Sequence, residues 1–312
     1  MKLIIQIPCF NEEETLSQVI ADLPKVISGI DTIETQIIDD GSTDKTTTVA
    51  KSLGIDHIIN FKKNKGLAAA FKAGVNNAIL LGADYLVNTD GDNQYQGKDI
   101  AKIVEAAISE NADLVVGCRP IKNHPEFSFI KKQLQYFGSW ILRKVSNTNI
   151  NDAASGFRVY SRDSMLRLNI YSDFSYCMET LIQLGLENMK IVGVNIGVNP
   201  KTRESRLFKN ISQYLWRQVK TIIGIFLLYR TNILFSSSSV ITFLISLVLT
   251  LRYLFLVLYS NAPASDFWPT IILAGVLLIL SVFLYITGIF ASLQAANRKL
   301  SEEILYRLRK NS

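Results

Sequence analysis

The chain has 312 residues, 48% of them hydrophobic, and a formal net charge of +6. That length admits one sizeable domain and an appendage, and the charge excludes a nucleic-acid groove, because the basic residues gather beside apolar runs. Cys9, Cys118 and Cys177 are odd in number and lack metal-type spacing, so they read as cytosolic thiols rather than as a disulfide framework.

Residues 2–8 are an apolar, strand-like run directly after Met1, and no N-terminal signal peptide is expected. A helical pattern covers 12–27, and 33–39 is a second strand ending in Asp39-Asp40-Gly41-Ser42, with a helix from about 43. Residues 57–61 form a short strand and 66–81 an Ala-rich helix. The strand 84–88 delivers Thr89-Asp90-Gly91-Asp92-Asn93-Gln94. A helix at 99–109 and a strand at 113–118 follow. This alternation predicts an α/β domain with a mostly parallel sheet. Ligands of such sheets gather at the carboxyl ends of the strands, where Asp39, Asp40, Asp90, Asp92 and Arg119 all fall.

Beyond that domain the pattern changes. Residues 125–148 are amphipathic, with Phe127, Phe129, Tyr136 and Trp140 among Lys131, Lys132, Arg143 and Lys144. They suit either packing on their own domain or the surface of a bilayer. Residues 205–232 read as a second interfacial helix. The runs 233–259 and 267–293 are each 27 residues long and carry Arg252 as their one charge, long enough to cross a hydrocarbon core of about 30 Å. Arg252 lies near one end of its run and can snorkel outward. The segment 199–232 holds seven basic residues against Glu204, and the tail 294–312 is also basic, whereas the stretch between the runs has no Lys or Arg. The positive-inside rule then puts a catalytic domain at 1–204, the basic tail and both termini in the cytoplasm, as an integral membrane protein.

The acidic motif carries the chemistry. Two carboxylates one residue apart at a strand end, Asp90 and Asp92, can hold a hard divalent cation, Mg2+ or Mn2+, that keeps positions open for phosphate oxygens. Gly91 lets the chain turn sharply between them, and Gln94 adds a neutral oxygen. An EF-hand is excluded because its sixth position is Tyr95. Asp39 and Asp40 suit hydrogen bonds from a nucleobase or ribose, while Ser42 and Asp44 suit capping of the next helix. There is no GxGxxG after the first strand and no GxxxxGK[ST], which disfavours a dinucleotide fold and a P-loop. Asp152-Ala-Ala-Ser155-Gly156-Phe157-Arg158 sets an acid beside a turn and an arginine; Arg158 is either an ion-pair partner or an organiser of the site. His57 and His124 read as structural or surface residues.

In order, Ile7-Pro8-Cys9-Phe10-Asn11-Glu12-Glu13, Asp39-Asp40-Gly41-Ser42, Asn64-Lys65-Gly66, Asp90-Gly91-Asp92-Asn93-Gln94 and Ser155-Gly156-Phe157-Arg158 resemble family-2 glycosyltransferases. The likeness is strongest to the polyprenyl-phosphate branch, which includes dolichyl-phosphate mannose synthase and bacterial undecaprenyl-phosphate glucosyltransferases. The resemblance covers about 3–210, and the paired C-terminal runs match the bacterial members. It implies a GT-A fold and inversion at the anomeric carbon. Pro8, Phe10, Glu12, Asp39, Asp40, Lys65, Asp90, Gly91 and Arg206 would bind a nucleotide-diphosphate sugar, and Asp90, Asp92 and Gln94 the metal. Lys131, Lys132, Ser155 and Arg158 would meet the phosphate of a polyprenyl phosphate lipid. Asp92, Arg119 and Asp152 would be catalytic, Asp152 by orienting the acceptor or taking a residual proton, with Glu179 assisting or merely exposed. Lys201-Thr202-Arg203-Glu204-Ser205-Arg206 replaces a family pattern that has glycine between arginine and Ser-Lys.

The two-run architecture implies a glucosyl donor, UDP-glucose, with GDP-mannose as the alternative; self-association into a homo-oligomer is left open. A processive polysaccharide synthase would carry QxxRW, and the nearest match, Gln213-Tyr214-Leu215-Trp216-Arg217, has the wrong order. A non-catalytic membrane scaffold would leave the acidic motifs idle.

Overall fold

In the computed structural model, residues 1–120, 148–171, 176–200, 211–259 and 263–311 are described, together with Trp140, Arg143 and Ser146. They divide into two compact units, one of Met1–Thr221 with Ile304–Ser312 and one of Ile222–Glu303.

The first unit is built on a seven-stranded sheet. Its strands are β1 (Lys2–Cys9), β2 (Thr32–Asp39), β3 (His57–Asn60), β4 (Tyr85–Asn88), β5 (Leu114–Cys118), β6 (Arg158–Ser161) and β7 (Ile191–Asn195), in the order β3-β2-β1-β4-β6-β5-β7. All pairings are parallel except those of β6, which runs antiparallel to β4 and β5. The helices are α1 (Leu16–Ala21), α2 (Thr46–Ser52), α3 (Leu67–Leu80), α4 (Asp99–Ser109), α5 (Arg162–Arg167) and α6 (Tyr176–Leu186).

Alternation along β1 divides the core. Leu3 and Ile5 pack with Val87, Val115 and the α4 residues Ile100, Ile103 and Val104. Ile7 and Cys9 continue that face against Leu16, Val19 and Ala50 of α1 and α2. The even-numbered residues face α3, as the period of two requires. There Gly74 allows a close approach: a Cβ on it would lie 2.1 Å from the Gln6 amide oxygen.

One expected element of this unit differs in extent. The helix expected over 12–27 is confined to α1, because Pro24 follows and the residue before a proline is steered out of the helical region. The elements from β6 to β7 were not expected as such, and β6 supplies the antiparallel exception. His57 is structural, as expected: its Nε2 lies 2.8 Å from Glu34, which also meets Lys2. All three cysteines are buried and free.

The second unit is a helical hairpin. Helix α7 (Ile211–Tyr259) and helix α8 (Trp268–Asn311) are continuous, with no break at the expected limits 233 and 293. Both contain stretches long and apolar enough to cross a membrane. Small residues line their seam: the Ser239 and Ser246 hydroxyls donate to the Ser281 and Ala274 carbonyls at 2.9 and 2.8 Å. Apolar side chains such as Leu247, Val248, Phe283 and Phe290 face outward. That inversion, polar inside and apolar outside, is how helices pair in lipid.

The end of α8 belongs to the first unit. The Tyr306 hydroxyl donates to Asp163 at 2.7 Å, and Arg309 donates to the carbonyls of Leu166 and Leu168 at 3.1 and 2.8 Å. The basic tail expected over 294–312 continues α8, and its last turns dock on α5.

Candidate active site

The site is assembled at the carboxyl ends of β1, β2, β4 and β5. The loops after β1 and β2 are interlocked by their own polar side chains. The Asn11 amide N–H donates to the Ser42 hydroxyl at 2.8 Å, the Glu12 N–H to the Thr46 hydroxyl at 2.8 Å, and the Thr43 N–H to the Asn11 side chain at 2.8 Å. Asp44, two residues ahead of α2, accepts from the Thr46 N–H at 2.9 Å, and Lys45 rather than Asp44 takes the N-cap position. The Thr15 hydroxyl ties this cradle to the acidic motif, donating to the Gly91 carbonyl at 2.7 Å and to Glu12 at 3.1 Å.

Asp39 and Asp40 are both buried, and their carboxylates serve the loops directly. Asp39 accepts from the Ser42 N–H at 2.9 Å and from the Thr47 hydroxyl. Asp40 accepts from the Lys65 and Gly66 N–H groups at 2.7 and 2.9 Å. Burial raises the Asp40 carboxyl against the pull of those two N–H groups. Gly41, with φ +73°, makes the turn, and any Cβ there would sit 2.6 Å from the Lys63 backbone. The Asn64-Lys65-Gly66 motif is thus held against the end of β2 by Asp40.

Asp90, Gly91 and Asp92 follow β4. Gly91 packs so close to β1 that a Cβ would meet Cys9 and Glu12 at 3.2 and 3.3 Å, which brings Pro8, Glu12 and the acidic motif together. Burial first, then the Asp92 carboxylate, push the Asp90 carboxyl up to about 7, against Arg119. Gln94 is turned onto Asp92: its backbone and side-chain N–H groups donate to the two carboxylate oxygens at 3.2 and 2.9 Å. Sequence reasoning gave Gln94 a direct ligand role; here its amide orients Asp92.

Among the described residues no cluster of three or more His, Cys, Asp or Glu side chains could hold a metal. The donor set nevertheless fits a hard divalent ion, because the Asp90 carboxyl, raised by burial and by the Asp92 charge one residue away, is relieved by a cation. Diphosphate oxygens would complete its shell.

Arg119, at the end of β5, pairs with Asp152. Its Nε and Nη2 donate to the two Asp152 oxygens at 2.6 and 3.0 Å, and its backbone N–H adds a third bond at 3.3 Å. Asp152 is fully buried and the Arg119 side chain is 17% exposed. Burial disfavours the charged guanidinium, but Tyr95, Asp152 and Asp90 more than reverse that, raising Arg119 well above its ordinary value. Both residues were expected in the site; their bidentate pairing, across 33 positions, was not.

The loop 152–158 departs from expectation. Arg158 is fully buried, donating to the carbonyls of Ser155, Cys177 and Ala153 at 2.7, 2.7 and 2.8 Å and to the Thr180 hydroxyl at 3.0 Å. These bonds engage its fork with framework groups, so Arg158 braces the loop and does not reach out to an acceptor phosphate. Ser155 is likewise fully buried. Glu179 is buried too, accepting from the Tyr171 N–H at 3.0 Å. Phe10 is half-buried and Lys65 exposed near the same loops, the Lys65 ammonium 4.7 Å from the Phe61 ring centre. Lys131, Lys132 and Arg206 lie outside the described residues.

Sequence reasoning did not single out Asn88, Tyr95 or Tyr176. The Gly156 N–H donates to the Tyr95 hydroxyl at 3.1 Å, and the Asn88 amide donates to the Gly156 carbonyl and the Tyr176 hydroxyl at 2.9 and 2.7 Å. The available signal was the placement of Asn88 at the end of an apolar strand and of Tyr95 directly after the acidic motif.

Residues 4–168 match the family described as glycosyl transferase family 2. UDP-N-acetylglucosamine–dolichyl-phosphate N-acetylglucosaminyltransferase of Methanococcus voltae is 31% identical over 198 residues, 56% of this chain and 77% of that one. Undecaprenyl-phosphate mannosyltransferase of Micrococcus luteus is 26% identical over 176 residues, 54% and 70% of the two chains. Among solved structures, glucosyl-3-phosphoglycerate synthase of Mycobacterium tuberculosis, crystallised with Mn2+, UDP and glucosyl-3-phosphoglycerate, has a TM-score of 0.54 at 18% identity, covering 72% of this chain and 78% of that one. The fold is the expected GT-A fold with two apolar C-terminal helices.

Proposed function

Because this chain belongs to glycosyl transferase family 2, we propose that it transfers a single hexose from a nucleotide-diphosphate sugar to a polyprenyl monophosphate at a membrane surface. The observation that carries this reading is the convergence of the Asp90/Asp92 pair with the Arg119–Asp152 pair beside the β1 and β2 loops. The relatives that act on dolichyl and undecaprenyl phosphate support the acceptor class.

The chemistry follows from charge. A phosphate monoester with a second pKa of about 6 is largely ionised at neutral pH, so the attacking oxygen needs little help from a base. The harder task is to stabilise the departing nucleoside diphosphate. Asp90 and Asp92 would hold a divalent cation, which when bound supplies Lewis-acid stabilisation of those phosphate oxygens. Arg119 would add a fixed positive charge there, with both Asp152 oxygens orienting its guanidinium, which favours positioning over proton transfer for Asp152. Asp39 and Asp40 fix the loops that would enclose the nucleotide, and their remaining lone pairs can accept from a base or ribose. Arg206 would reach the same diphosphate.

The donor we propose is UDP-glucose, following the paired apolar helices of the glucosyl branch; the two named relatives use N-acetylglucosamine and mannose. Lys131 and Lys132 would meet the acceptor phosphate. The catalytic unit would face the cytoplasm, supported by the flanking basic residues and by the return of Ile304–Ser312 to the first unit after two apolar stretches.

The test is a panel of UDP-glucose, GDP-mannose and UDP-N-acetylglucosamine with undecaprenyl phosphate, read by mass of the lipid product. A single-hexose phospholipid made from UDP-glucose is expected, and Lys131→Ala/Lys132→Ala should raise the lipid requirement more than the sugar-nucleotide requirement. Another donor would overturn glucose alone, and a polymer or no lipid product would overturn the function. An impermeant thiol reagent added outside should label a cysteine at position 260 and spare one at 301; the reverse would overturn the orientation.

A further inference from the structure

Beneath the site, the sheet carries a row of polar side chains where a core would ordinarily be apolar. Gln36, Gln6 and Asn88 stand in register on adjacent strands β2, β1 and β4, and all three are fully buried, Gln36 and Gln6 against α3. The row has one direction. Asn77 on α3 donates to the Gln36 side-chain oxygen at 2.9 Å, Gln36 to Gln6 at 3.1 Å, Gln6 to Asn88 at 2.7 Å, and Asn88 to the Gly156 carbonyl at 2.9 Å.

Backbone carbonyls set this direction. The Gly156 carbonyl can only accept, so the Asn88 amide nitrogen must face it and the Asn88 oxygen must face Gln6. At the other end the Gly74 carbonyl, 2.9 Å from Gln36 Nε2, fixes the same sense independently. Buried amides of this kind are costly unless fully satisfied, and a satisfied chain of them is rigid and mutually polarised.

Its far end lies at the acidic motif. A Cβ on Gly156 would sit 3.3 and 3.5 Å from the Asp90 oxygens and 3.0 Å from the Tyr176 hydroxyl. Gly156 is gripped on both sides, its N–H by Tyr95 and its carbonyl by Asn88. Tyr176 completes the grip; its ring stacks on Phe71 with centres 3.9 Å apart. We propose that Asn88 is a positioning residue for the metal-binding acidic motif, fixing the Gly156 wall that sets where the Asp90 carboxylate sits relative to the loop carrying Asp152. This rests on the reading that Asp90 and Asp92 hold a divalent cation.

The test uses the full chain in detergent micelles and titrates Mn2+ by electron paramagnetic resonance, alongside thermal unfolding and kinetics. Asn88→Leu is expected to weaken Mn2+ binding about tenfold, the effect of losing about 1.4 kcal/mol, and to lower kcat more than it raises the donor KM. Tyr176→Phe keeps the ring stack, removes one hydroxyl and should weaken Mn2+ binding severalfold; it decides the matter should Asn88→Leu fail to fold. Gln36→Leu, at the remote end, should lower the melting temperature and leave Mn2+ binding unchanged. Wild-type Mn2+ binding that persists unchanged in Asn88→Leu and Tyr176→Phe overturns the positioning role alone. An unsubstituted protein that does not bind Mn2+ overturns the metal reading and this proposal with it.

Discussion

Two acidic pairs lie at neighbouring strand ends, and their surroundings differ in kind. Asp39 and Asp40 are buried and receive backbone or hydroxyl donors from their own and adjacent loops. Asp90 and Asp92 sit one residue apart, and burial with the Asp92 charge lifts the Asp90 carboxyl to about 7. Donors from the loops engage the first pair, although burial still raises Asp40, whereas Asp90, lifted by burial and the Asp92 charge, retains an electrostatic demand that a cation can meet. A carboxylate in a motif therefore says little until its donors are known.

The sharpest way to break this contrast is at Asp92. Asp92→Asn keeps the shape and removes the charge, and should lower kcat by on the order of 10³ while leaving thermal unfolding nearly unchanged. Full turnover in EDTA, or by this variant, would contradict the metal assignment.

A smaller loss is expected at Asp152, which combines both behaviours: it is buried like Asp39 and, in the proposed reading, adjoins the chemistry like Asp92. Asp152→Asn leaves Arg119 with a mismatched fork, and kcat should fall by about 10². Asp152→Ala breaks a buried pair and should also cost about 3–5 kcal/mol of stability, read by chemical unfolding in detergent. Wild-type kcat for Asp152→Asn would show that the guanidinium needs no anchor.

The contrast between the acidic pairs was only partly legible in the sequence. The strands β1 to β5 were, because their apolar runs are interrupted by turn residues at each carboxyl end, and the acidic motifs fell at those ends. The turn bond from Thr46 to Asp44 at the start of α2 is local as well, although the N-cap itself falls on Lys45 and not on Ser42 or Asp44. What was not readable depends on distant partners. Asp39 and Asp40 look alike in the chain, yet Asp40 is defined by amides at 65 and 66 and Asp39 by groups at 42 and 47. The Arg119–Asp152 pair spans two loops, and Arg158, which looks like a surface or site cation, is the most deeply braced side chain of its loop. Strand β6 begins with that arginine, so no apolar run announced it. Gln6, Gln36 and Asn88 each appear as isolated polar breaks, and only the strand register turns three breaks into one row.

Asp40→Asn should then separate structure from chemistry on the first pair. The amide can accept only weakly where two N–H groups converge, so the loop 64–66 loosens. A loss of about 1–3 kcal/mol in stability is expected, with a higher donor KM and kcat within a few-fold of wild type. A collapse of kcat at unchanged donor KM would move Asp40 into the company of Asp92.

The smallest effect concerns an acid outside both pairs, where Asp163 joins the end of α8 to α5. It accepts from the Tyr306 hydroxyl at 2.7 Å and from Arg167 at 3.0 Å, and Arg167 lies 4.2 Å from the Tyr306 ring centre. Burial raises the Asp163 carboxyl, but Tyr306 and Arg167 outweigh it and hold the group below its ordinary value. The folded state therefore binds its proton less readily than the unfolded chain does. The resulting stability is fully present above the unfolded value near 3.9 and is lost as pH falls through the lower folded value. Tyr306→Phe should lower stability by about 0.5–1.5 kcal/mol at neutral pH, and leave Mn2+ binding at the acidic motif untouched. The difference between Asp163→Asn and wild type should shrink as the pH drops below about 4. A gap that widens in acid would mean that Asp163 is held protonated in the fold, as the raised Asp90 carboxyl is drawn toward its protonated form.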